Sequence, residues 1–197
     1  CHDVLAPTLA GHAGGPAFEG EVTDAVLADA VERAMDEAGF ETAHLSGNSL
    51  GGYVALQLAA RGRARSVVAL APAGGWAVDD ESYREVLDHF VRMAEVTRSA
   101  APHADAIAAT PDGRRRATQF ITERHEHLPA DLVAHLIAGA AGCVAADTLI
   151  EHARREGWPI DAERIACPVR VVWGTADRLL TWPSAAARYR EDWLPHA

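Results

Sequence analysis

The run Gly47-Asn48-Ser49-Leu50-Gly51, with Gly52 behind it, lies where the periodicity of the chain changes, and it constrains the fold more than any other feature. Before it, Ala43 to Ser46 reads as a short strand. After it, Leu50, Val54 and Leu58 recur at helical spacing, with Gly62 as the stop. A G-x-S-x-G pattern between strand and helix requires a sharp turn that pushes the serine hydroxyl out of the top of a sheet. Small residues flank the serine because a side chain there would collide with the neighbouring strand or helix. A helix starting directly after Ser49 sets its positive dipole end and unpaired N–H groups beneath a developing oxyanion. The plain alternative is a Gly-rich turn with an idle serine. The strand before it and the apolar-faced helix after it favour a nucleophile.

The remaining pattern alternates. Asp3 to Pro7 reads as the end of a strand entering a Gly/Pro loop that runs to Gly20. A helix follows, with Leu27, Val31, Met35 and Ala38 on its apolar face, Thr23 or Asp24 as candidate caps and Gly39 as its end. Ser66 to Leu70 is a β-branched run suited to a buried parallel strand. Asp79 to Arg155 has amphipathic helical stretches and no convincing strand. Val169 to Trp173 is strand-like again, and a last helix is expected from about Pro183 to Trp193. This order predicts an α/β fold, a mostly parallel sheet flanked by helices, with an inserted helical block. The expected division is a first core part over 1–75, the helical block over 76–158 and a second core part over 159–197.

Composition removes several functions. The net charge is −10, and the tightest basic groups, Arg61/Arg63/Arg65 and Arg114 to Arg116, read as solvated loops or helix ends, so nucleic acid is not an expected partner. All 18 basic residues are Arg, which leaves no lysine for a Schiff base, a PLP anchor or a P-loop. Cys1, Cys143 and Cys167 have no C-x-x-C spacing and read as free thiols of a reducing compartment, hence a cytoplasmic expectation. His125, His127, His135 and His152 are near neighbours without a carboxylate-histidine helix motif, so no metal is expected. No apolar run approaches the roughly 18 residues of a membrane span.

Ser46 to Gly52 resembles the nucleophile elbow of the α/β-hydrolase family. Val172-Trp173-Gly174-Thr175-Ala176-Asp177 is similar to the segment that delivers that family's acid, and Ala6 to His12 to the loop entering the helix before the nucleophile strand. The resemblance implies Ser49 as nucleophile, Asp177 as the acid, the backbone N–H of Leu50 as one oxyanion donor, and Gly47, Asn48, Gly51 and Gly52 as the elbow. It implies no metal or organic cofactor, and it makes the helical block the family's cap. Asp177 also fits on position, just past the C-terminal end of a strand where open α/β sheets place their sites. Its plain alternative is a turn aspartate capping the next segment.

The base is the difficulty. The family brings its histidine on a loop after one further strand, whereas only His196 follows Asp177. The last helix, about 11 residues long, would carry the chain roughly 16 Å back along the sheet, so His196 is not expected to serve. His12 lies in a loop that is structural in the family, and His44 is expected to pack within its strand. The resemblance also places an earlier strand between the one ending near Ala6 and the one ending at Ser46. Without it a gap or an exposed edge is expected beside Ala43 to Ser46. These residues therefore read as an internal fragment lacking N-terminal strands and the last strand, marginally stable and inactive alone.

The implied reaction is acyl transfer to water on a small-molecule ester or related carbonyl substrate. A serine in place of an aspartate disfavours the haloalkane dehalogenase and epoxide hydrolase branches. Two alternatives stand. One is hydrolysis of a carbon–carbon bond in ring-fission products, which Gly47 to Gly52 and Ala71 to Gly75 also resemble. The other is a non-catalytic ligand-binding protein of the same fold. Trp76, Phe90, Met93, Phe120, Leu132 and Leu136 are candidates both for an apolar pocket and for helix–helix packing.

Overall fold

Residues 2–18, 21–76 and 81–189 are described by the computed structural model. Their elements run in chain order as α1 (Val26–Glu37), β1 (Ala43–Asn48), α2 (Leu50–Ala60), β2 (Ala64–Leu70), α3 (Arg84–Ala100), α4 (Ala104–Ala109), α5 (Pro111–Thr118), α6 (Ala130–Ala141), α7 (Ala146–Glu156) and β3 (Val169–Val172). The strands form one parallel sheet in the order β1-β2-β3. The register sets Asn48 beside Leu70 and Leu70 beside Val172, so all three strands end on one line.

Local chemistry explains the boundaries. Helix α1 ends where Gly39, at φ +78°, lets Phe40 N–H reach back to the Met35 carbonyl at 2.8 Å. Helix α2 ends in the same way at Gly62, with Arg63 N–H on the Leu58 carbonyl at 2.9 Å. The start of α1 departs from expectation. Its N-cap is Ala25, with no side-chain hydrogen bond, and neither Thr23 nor Asp24 caps it. Arg61 and Arg63 are also not simply solvated. Arg61 bonds Asp29 at 2.7 Å and Glu32 at 2.9 Å, and Arg63 bonds Glu32 at 3.2 Å and Asp36 at 2.5 Å, tying the end of α2 to α1.

The sheet has one covered face. Leu45, Val67 and Val169 share a register row on the side packed by α2, and Leu56, Leu58 and Val67 are among its most buried side chains. On the opposite side Val68, Leu70 and Val172 are 36%, 38% and 43% exposed. The strand expected to be buried is therefore buried on one face among the described residues.

The expected strand at Asp3 to Pro7 is not formed. The segment has no assigned secondary structure and pairs with no strand among the described residues, with Val4 84% exposed. Between it and β1 lies an open groove of about 780 Å³, walled by Val4, Leu5 and Leu9 on one side, His44 and Ser46 on the other, and floored by Val54 of α2. β1 is thus an edge strand among the described residues. A smaller groove of about 460 Å³ borders β3 at Val171 and Trp173, under Trp182 and Tyr189. In place of the expected last helix, a short 3-10 turn covers Ala185–Tyr189. Trp193 and His196 lie outside the described residues.

Helices α3 to α7 carry no strand between them. The chain enters and leaves this block at one point, where Trp76 and Trp158 form an isolated antiparallel bridge. Gly75 N–H donates to the Trp158 carbonyl at 2.7 Å and Trp158 N–H to the Trp76 carbonyl at 3.2 Å. Tyr53 of α2 stacks on Trp158 at 5.1 Å, and Trp76 stacks on Tyr83 at 5.2 Å. Each such pair adds about 0.5–1.5 kcal/mol beyond its buried area. The block also has its own small core of Ala104, Ala108, Val133, Ala134 and Ile137. Among the described residues, no single helix is long and apolar enough to cross a membrane.

Candidate active site

Strand β1 hands over to helix α2 at a single residue. Ser49 has φ 50° and ψ −116°, a conformation that L-residues rarely adopt, and its neighbours hold it there. Its N–H donates to the Leu70 carbonyl at 2.9 Å. Its own carbonyl accepts from Tyr53 N–H at 3.1 Å and from Ala73 N–H at 3.0 Å. Asn48 Nδ2 donates to the same Leu70 carbonyl at 3.0 Å. The elbow is thereby fastened to the end of β2 and to the loop after it.

The elbow glycines divide by cause. A Cβ on Gly47 would overlap the carbonyl of Gly51, and one on Gly52 would come to 2.9 Å from Pro72 Cβ, so both positions exclude a side chain. Gly51 has open space around the same point. The expected steric reason thus applies to Gly47 and Gly52 and not to Gly51. Leu50 is the first residue of α2, and its N–H is among the four that a helix leaves unpaired at its start.

Asp177 lies five residues beyond the end of β3, past the same sheet edge as Ser49. Its Oδ1 accepts from Leu179 N–H and Leu180 N–H, both at 2.9 Å. It therefore does cap the following turn, and this fixes the carboxylate. Among the described residues its Oδ2 makes no hydrogen bond.

The histidines are placed elsewhere. His12 Nδ1–H donates to the Ala10 carbonyl at 3.1 Å, and no hydrogen bond among the described residues joins its ring to the elbow. His44 is not packed in its strand. It is exposed and bonds Ser66 Oγ at 2.8 Å across β1 and β2. His196 falls outside the described residues. No hydrogen bond among the described residues reaches Ser49 Oγ or joins Asp177 to a histidine.

Of the six apolar candidates, Trp76 is buried in the aromatic stack. Phe90, Met93 and Phe120 are partly buried, and Leu132 and Leu136 are 41% and 36% exposed on α6. Sequence reasoning marked the loop Ala71 to Gly75 but not what holds it. Arg188 donates to the Gly74 carbonyl at 2.6 Å and the Pro72 carbonyl at 2.9 Å. Its guanidinium lies over Trp76, Trp173 and Tyr189 at 4.8–5.5 Å. Tyr189 Oη donates to the Ala73 carbonyl at 2.7 Å, and burial pushes its phenol up to about 12, which keeps it a donor. An arginine in an Ala-rich stretch gives no sequence signal of this role.

The sequence model of the alpha/beta hydrolase family matches residues 1–197, the whole of the chain. The chain belongs to the alpha/beta hydrolase family. One relative in it is an epoxide hydrolase, EphH, of Mycobacterium tuberculosis, 38% identical over 174 residues, which are 88% of this chain and 81% of the relative. Among solved structures the chain resembles the enol-lactonase of Burkholderia xenovorans at a TM-score of 0.58 and 22% identity, over 91% of this chain and 65% of that one. It also resembles a meta-cleavage product hydrolase, CumD, of Pseudomonas fluorescens at a TM-score of 0.54 and 17% identity, over 86% of this chain and 60% of that one. At these identities the two structures show the fold. The chain spans less than two thirds of either. Membership makes this an alpha/beta hydrolase enzyme at the level of the family.

Proposed function

We propose that the protein is a serine hydrolase that cleaves a small-molecule ester or related carbonyl compound through an acyl-enzyme. The observation that carries this reading is the backbone of Ser49, strained at φ 50° between β1 and α2 and pinned on both sides. Strain of this kind costs about 1–3 kcal/mol and persists only where the surroundings impose it. In this reading Ser49 Oγ attacks the carbonyl carbon and the Leu50 N–H receives the oxyanion. Asp177, with Oδ1 fixed and Oδ2 open, orients the histidine that takes the serine proton. That histidine lies outside the described residues. The helical block acts as the cap that selects substrate.

A second reading is supported by the 38% identity to EphH, which is named an epoxide hydrolase. Attack of Ser49 on an epoxide carbon would leave a serine ether, which has no carbonyl for water to attack. An acyl-serine has one, and this chemical difference favours the acyl-enzyme. Labelling of Ser49 by a fluorophosphonate, with turnover of p-nitrophenyl acetate and none of styrene oxide, is the expected result. Epoxide opening retained in Ser49→Ala would overturn the proposal. The same pair of substrates with a vinylogous diketone added tests carbon–carbon hydrolysis, and silence toward all probes would favour a binding protein.

A further inference from the structure

Trp173 is the first residue after β3, and its indole contacts the supports of both Asp177 and Ser49. On the acid side, Trp173 Nε1–H donates to the Leu180 carbonyl at 2.7 Å. The N–H of the same buried Leu180 donates to Asp177 Oδ1 at 2.9 Å, so one residue carries both bonds. On the nucleophile side, the Trp173 ring lies 5.5 Å from the Arg188 guanidinium and 5.9 Å from the Tyr189 ring. Arg188 and Tyr189 donate to the carbonyls of Pro72, Ala73 and Gly74, and Ala73 N–H donates to the Ser49 carbonyl at 3.0 Å. Ala71 N–H, in the same loop, donates to the Val172 carbonyl at 2.8 Å, directly before Trp173.

We propose that Trp173 is a positioning residue for the serine reaction, a brace that sets the spacing between Ser49 and Asp177. The inference rests on the reading of Ser49 as nucleophile and Asp177 as acid. No hydrogen bond among the described residues joins these two directly, and they follow different strands. Their separation is therefore held by what lies between their supports. Trp173 acts on the carboxylate through Leu180, and on the nucleophile's loop through Arg188 and Tyr189. Indole suits both tasks at once. Its N–H is a donor only and needs a carbonyl, while its ring face attracts a guanidinium better than that of phenylalanine or tyrosine.

The test separates the two branches. Trp173→Phe keeps a ring beside Arg188 and removes the N–H, so hydrogen exchange should accelerate at Leu179 and Leu180 and stay unchanged at Ala73. Trp173→Leu removes the ring as well and should accelerate Ala73 too. With p-nitrophenyl acetate, Trp173→Phe should lower kcat about tenfold and leave KM within about twofold, because alignment is lost and not substrate binding. The acid limb of kcat against pH should move to lower pH. A carboxylate aimed less firmly stabilises the imidazolium less and lowers the pKa of the histidine. Unchanged exchange at Leu179 and Leu180 in Trp173→Phe, an unchanged kcat, or a loss of kcat with an unmoved acid limb would overturn the proposal. If the wild type does not turn over the ester, the serine reading fails and the exchange rates alone decide the brace. If Trp173→Leu does not fold, Trp173→Phe decides.

Discussion

Ser49 N–H donates to the Leu70 carbonyl at 2.9 Å, so a residue held at φ 50° just past the end of β1 is tied to the last residue of the neighbouring strand. That bond fixes where the Ser49 hydroxyl stands relative to the sheet edge. The strain it enforces has a measurable consequence. Ser49→Gly removes the Cβ that makes this backbone costly, and it should raise stability by about 1 kcal/mol after the entropy of glycine is subtracted. Ser49→Ala should leave stability within about 0.5 kcal/mol. Urea unfolding of both variants distinguishes them, and a less stable Ser49→Gly would remove the argument from strain.

The elbow glycines should respond unequally. Gly47→Ala drives a methyl into the Gly51 carbonyl and should cost about 1–3 kcal/mol, the range for overpacking a filled site. Gly51→Ala adds a methyl to open space in the first turn of α2 and should be neutral or stabilise by up to about 1 kcal/mol. Comparable losses in the two variants would show that the motif spacing, and not local room, governs both.

Arg188 should matter far more than an arginine near the chain's end ordinarily does. Arg188→Ala removes the donor to the Pro72 carbonyl and leaves the Gly74 carbonyl with Tyr189 Oη alone, at 3.0 Å, and should destabilise by about 1–3 kcal/mol. The loop it releases carries Ala73, whose N–H donates to the Ser49 carbonyl. Hydrogen exchange at Ala73 should therefore accelerate in this variant while that of α6 stays unchanged. A change of less than about 0.5 kcal/mol would mean that the aromatic stack holds the loop unaided.

His89 predicts an acid-side loss of stability. Its ring lies 4.6 Å from that of Phe120 and 6.2 Å from that of Phe90, and its Nε2 is buried without a partner. Burial, with the nearby Arg92 charge, holds its pKa below 6.5. The unfolded chain then binds this proton at higher pH than the folded one. Stability should fall as pH drops from about 6.5 through the lower folded value. His89→Phe should flatten that limb in thermal melts taken across the window. An unchanged limb would assign the loss to other groups.

The sequence by itself determined the α/β class, the helical block, and the position of Ser49 between a strand and a helix. These rest on local information. Periodicity marks Leu50, Val54 and Leu58 as one helix face, Gly39 and Gly62 end helices by backbone geometry, and G-x-S-x-G implies a turn whatever surrounds it. Tertiary structure decided what depends on neighbours distant in the chain. Asp3 to Pro7 has strand composition but pairs with no strand among the described residues. Val68 and Leu70 are β-branched or apolar yet exposed, since burial belongs to the covering layer and not to the residue. Asp177 proved both a cap and a carboxylate whose second oxygen makes no hydrogen bond among the described residues, a distinction set by the turn after it. Gly11 with Ala145, and Arg188 with Pro72 and Gly74, meet across more than 110 positions of chain, a separation that no local pattern records.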